Sequence, residues 1–173
     1  MSDSTESPER TAGSDGDPLA AIDAIVQEYA RRLQHEAELE AAAHARRQQF
    51  LVDFATICQQ QVRPAMEAVI ERLRANGGDG LVAEGHGGVL HQSDPRLTAW
   101  MSLHGEIPEA PSTDMYPYLQ LDAEAYDQKV QVSEGDMCQK HGHSGPVGTW
   151  KLSEITAEAV TARLVAILRR AAS

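Results

Sequence analysis

The sequence predicts an α+β protein: long N-terminal helices, the second kinked at Pro64, then an antiparallel sheet of three to five strands and a C-terminal amphipathic helix. Three observations carry that prediction. Apolar residues recur at steps of three and four from Leu19 to Leu33 and again from Phe50 to Leu73, the period changes to every second residue beyond Gly80, and the helical period returns after Thr156.

The chain opens on residues 1–17, which hold serines, glycines and five acids against one arginine. So little apolar surface does not offset the entropy of ordering, and a disordered acidic tail is expected. Asp17 followed by Pro18 then reads as an N-cap and first helical position.

In the first helix Leu19, Ile22, Val26, Tyr29 and Leu33 follow alternating steps of three and four. That spacing aligns them on one narrow seam, the pattern by which helices pair as a coiled coil. From Gln34 to Gln49 alanine dominates among Glu, Arg and His, so helix propensity stays high while apolar drive falls. Residues 18–46 are therefore read as a helical oligomerisation arm, with an α+β domain at 47–173.

A second stripe runs Phe50, Phe54, Ile57, Cys58, Val62, Met66, Val69, Ile70 and Leu73. Pro64 interrupts it by removing an amide proton and crowding the preceding turn, hence the expected kink. Asn76-Gly77-Gly78 supplies a C-cap.

Alternation is clearest at Leu97, Ala99, Met101 and Leu103, a half-buried strand. Tyr118–Leu121 and Val130–Val132 flank a hairpin connection, and 81–84 and 147–152 are fainter strands. Trp100 breaks the pattern as a large aromatic on the polar side, and a covering helix or subunit is expected there. The last helix has Thr156 as its cap, Ile155 and Val160 as a staple, an inner face of Val160, Leu164, Ile167 and Leu168, and Arg169 and Arg170 at its end.

The formal charge is −11 over 173 residues. Such a field repels phosphate backbones and anionic lipid, so nucleic acid and membrane are poor partners and a basic protein fits the sign. No run approaches the roughly 18 apolar residues that cross a bilayer. Two cysteines in unlike contexts, Cys58 and Cys138, read as reduced thiols of a cytoplasmic protein.

Chemistry-bearing motifs are sparse. Cys138, His141 and His143 form a Cys-x-x-His-x-His cluster that could place three zinc donors in one turn, with Asp136, His86, His91 or His104 as a fourth. A solvated polar loop explains the same residues. The histidines His86, His91 and His104 have Glu84, Asp94 and Glu106 nearby in sequence but no fixed catalytic spacing. The glycines at 77–80 and 85–88 lack the Gly-Lys-Ser/Thr ending of a phosphate cradle. No cofactor is expected.

The functional expectation is a non-enzymatic protein–protein interaction module or adaptor, a homodimer or higher oligomer through Leu19, Ile22, Val26, Tyr29 and Leu33. A small metal-binding protein or metal-dependent enzyme centred on Cys138, His141 and His143 is the first alternative. An immunity- or antitoxin-like protein that neutralises a basic partner is the second.

Overall fold

The computed structural model describes residues 18–87, 94–136 and 142–173. Its elements are α1 (Pro18–Ile57), a π turn (Cys58–Val62), α2 (Arg63–Arg74), β1 (Asp79–His86), β2 (Pro95–Ser102), β3 (Tyr118–Glu124), β4 (Lys129–Gly135), β5 (Ser144–Trp150), a 3-10 turn (Leu152–Glu154) and α3 (Ala157–Ala171). The α+β order read from the sequence is present. The chain divides into two units, the first ending at Ala43 and the second running from His44 to Ser173.

Where the sequence predicts two helices and a proline kink, α1 runs unbroken through residue 46 to Ile57. The alanine-rich stretch gives propensity enough to continue and contains no residue that would stop it. The irregularity lies just ahead of Pro64, at the π turn, where the Arg63 N–H bonds the Cys58 carbonyl five residues back. Proline at 64 withholds an N–H from the usual ladder, and the wider turn absorbs that local mismatch. Pro64 itself falls in the first turn of α2.

The five strands form one antiparallel meander in sequence order, β1-β2-β3-β4-β5. Leu97, Ala99, Met101, Leu119, Leu121, Val130 and Val132 turn to one face of the sheet and are fully or almost fully buried. Against them pack Phe50, Phe54, Val62 and Met66 from the helical segment and Val160, Leu164 and Ile167 from α3. A side chain at Gly80 would collide with Ile70, so glycine there lets α2 lie close on β1.

The C-terminal helix begins as its sequence signals. Thr156 Oγ1 accepts from the Ala159 N–H at 3.1 Å, and Ile155 and Val160 are both buried. The helix is anchored to the end of β4 and the residue after it: Arg170 in its last turn reaches Glu134 at 2.6 Å and Asp136 at 3.1 Å, and Arg163 in its middle lies 2.9 Å from Glu134. Both carboxylates are buried, and pairing of this kind is what makes such burial tolerable.

Candidate functional site

The seam is an exposed surface. Leu19, Val26 and Tyr29 are 60–68% exposed, Ile22 54% and Leu33 48%, and Ile25 beside them is 68% exposed. In heptad terms Leu19, Val26 and Leu33 hold one core position and Ile22 and Tyr29 the other. The same positions next fall on Glu36 and Glu40, both exposed, which ends the stripe after about two heptads. Beside it Glu28 pairs with Arg31 at 3.2 Å and Arg32 at 3.4 Å, within the helix itself.

Of the three residues of the zinc motif, Cys138 and His141 lie outside the described residues. His143 is exposed. Its backbone closes the base of the β4–β5 connection: the Asp136 N–H bonds the His143 carbonyl at 3.1 Å, and the His143 N–H bonds Asp136 Oδ1 at 3.0 Å. Asp136 Oδ2 receives Arg170, so both oxygens of this suggested fourth ligand already accept hydrogen bonds. His86 and His104 are exposed, and His91 lies outside the described residues. Among the described residues no three His, Cys, Asp or Glu side chains group as a metal site.

Trp100 sits on the sheet face turned away from α2 and α3, in one cross-strand row with Leu81, Tyr118 and Gly135. The Tyr118 ring lies over Gly135 and its hydroxyl is 3.1 Å from Ser144 Oγ, so tyrosine and glycine share one slot across two strands. Trp100 is half-buried and its Nε1 is buried with no hydrogen-bond partner. Next to this row Arg96 pairs with Asp122, which also accepts from Gln120 Nε2 at 2.7 Å. Thr98, between them, is buried. The expected cover over Trp100 therefore does not come from α2 or α3.

Cys58, expected in the core, packs only at its margin. It opens the π turn and lines a cavity of about 120 Å³ with Phe54, Ala55, Leu97, Glu84 and His86. Burial, reinforced by the Glu84 carboxylate and opposed by Arg63, pushes its thiol up to about 12. A thiol held protonated at neutral pH is a poor nucleophile and a poor metal ligand.

Sequence reasoning missed Asp79. Its carboxylate receives the Arg74 Nε at 2.8 Å and the Ile107 N–H at 2.9 Å, joining α2 to the connection after β2. The only local signal was an acid following the helix-ending glycines, and no periodicity reveals a partner 28 residues away. No family profile, curated protein or solved structure matches the chain. Among the described residues no helix is long and apolar enough to cross a membrane.

Proposed function

We propose that the chain is a non-enzymatic interaction module that self-associates through α1, with Leu19, Ile22, Val26, Tyr29 and Leu33 packed against the same residues of a second copy. The observation that carries this reading is a heptad-spaced stripe whose five members are all about half exposed or more. Full burial of each such side chain contributes about 1.5–3 kcal/mol, against roughly 4–15 kcal/mol for the freedom lost on association. A seam of two heptads thus supports an equilibrium that depends on concentration. The exposed acids at Glu36 and Glu40 limit its length, because like charges at core positions of a coil oppose pairing.

A net charge of −11 favours a basic protein as the further partner of such a module. Two cysteines in unlike sequence contexts favour a reducing compartment, and we place the protein in the cytoplasm.

Light scattering of the full chain tests the reading. The parent chain is expected to show a mass above that of one chain, rising with concentration, and Val26→Glu with Leu33→Glu should return it to a single chain with an unchanged thermal melt at low concentration. The same mass for both proteins would refute it.

A further inference from the structure

The two edges of the sheet differ in how they are closed. β5 carries Pro146, which has no N–H to offer, and meets β4 across a register shift at Val132/Ser133. Proline and bulges are the usual devices that stop an edge strand from recruiting another strand. β1 has neither: all eight of its residues keep one register with β2.

The direction of its free backbone groups follows from the ladder. Met101 donates its N–H to the Pro117 carbonyl at 2.8 Å, so odd residues of β2 bond toward β3 and even residues toward β1. Those even residues are paired with Asp79, Leu81, Ala83 and Gly85, and the alternation continues to the Gly87 N–H on the Asp94 carbonyl at 2.9 Å. The N–H and C=O of Gly80, Val82, Glu84 and His86 therefore face outward. Arg74 Nη2 takes the Gly80 carbonyl at 2.6 Å, which leaves Val82, Glu84 and His86 as the stretch that is open among the described residues.

Beside that stretch lies the cavity of about 120 Å³ between the π turn and β1, apolar at Phe54, Ala55, Cys58 and Leu97, with the Glu84 carboxylate at its β1 wall and Gln59, His86 and Arg96 also lining it. An open edge and a side-chain-sized apolar cavity at the same end of one strand are the two requirements of recognition by strand addition.

A second copy of this chain is a poor occupant. A two-fold pairing confined to Val82, Glu84 and His86 is centred on Glu84 and sets that carboxylate directly opposite its own copy, which is destabilising. The Glu84 side chain is 68% exposed and shares one cation, Arg63, at 2.6 Å. A foreign strand with a basic residue opposite Glu84 removes the conflict.

We propose that the β1 edge binds an extended segment of a partner protein as a sixth strand, with a basic side chain opposite Glu84 and an apolar side chain two residues away in the cavity. This rests on the reading of the chain as an interaction protein and gives it a second surface, distinct from the seam.

The test uses the full chain and a fluorescently labelled peptide of alternating valine and lysine. Anisotropy should rise to saturation, and Val82→Pro, which removes one outward N–H and leaves the β2 ladder intact, should weaken binding about tenfold. Glu84→Lys should transfer the preference to a peptide of alternating valine and glutamate, a switch that survives any objection to proline. Equal affinity of the parent and a Val82→Pro protein with the parent's melt, or absence of the switch, would overturn the proposal. So would a fall in mass by Val82→Pro without peptide binding, because the edge would then be occupied by a second copy. Binding should persist when Val26 and Leu33 are both replaced by Glu. A parent that associates but ignores the peptide defeats this proposal alone, and one that binds the peptide as a single chain defeats the seam alone.

Discussion

Val160, Leu164 and Ile167 of α3 are fully buried, whereas Leu19, Ile22, Val26, Tyr29 and Leu33 of α1, set at the same helical steps, remain about half exposed or more. The two stripes obey one period and meet opposite surroundings. What separates them is the polar frame around each. α3 has a hydroxyl cap, a buried residue on either side of it, and two arginines that reach Glu134 on β4 and Asp136 just after it. The ion pairs of the exposed part of α1 join residues three and four apart on the same helix. Periodicity thus reports that a helix has an apolar face, and long-range polar contacts tell which element covers it.

The comparison is broken most severely by truncating one leucine in each stripe. Leu164→Ala leaves a cavity in the shared core and should cost about 2–5 kcal/mol in a urea melt. Leu33→Ala should change the melt of the dilute chain by no more than about 0.5 kcal/mol, as an exposed residue does. Its effect belongs to association, where the dissociation constant should weaken about tenfold or more. Equal destabilisation of the dilute chain by both substitutions would mean that the α1 stripe is covered after all.

A smaller effect is expected at the cap. Thr156→Ala removes the acceptor for the Ala159 N–H and should lower stability by about 1 kcal/mol, or roughly 2–4 °C in melting temperature. Thr156→Ser keeps the acceptor and should restore most of the loss. Failure of serine to do so would transfer the anchoring of α3 from its cap to its arginines.

Much of the fold was legible because local signals agree with their surroundings. Leu97, Ala99 and Met101 alternate and are buried on one face, and Thr156 is both a capping residue in sequence and the cap in fact. The fainter strands, at 81–84 and 147–152, form the two edges, where weak alternation is expected because only one neighbour constrains each strand. What was not legible is long-range. Arg170 meets Glu134 across 36 residues and Arg63 meets Glu84 across 21, and neither spacing leaves a local trace. The continuity of α1 was hidden for a different reason: the alanine-rich stretch loses its apolar stripe, which mimics a boundary, yet loses none of its propensity. The open stretch of β1 depended on ladder phase, and phase is fixed only by pairing.

The smallest expected effect concerns the polar frame itself and is read through pH. The Ile107 N–H first, then Arg74 and the Gly80 N–H, hold the Asp79 carboxyl well below its ordinary 3.8, at about 2. A carboxylate with a depressed folded value stabilises the fold above its unfolded value, and that contribution disappears as pH falls through the folded one. The window is therefore from 3.8 down to about 2, with stability rising with pH across it. Asp79→Asn keeps the shape but gives up the charge, and should melt slightly below the parent at neutral pH. Below about pH 2 the two melting temperatures should converge, because protonation does to the parent what the substitution has already done. Parallel curves over the whole window would show that the Ile107 and Arg74 contacts add nothing to the fold, and that the joint between α2 and the connection after β2 is as local in its energetics as the ion pairs along α1.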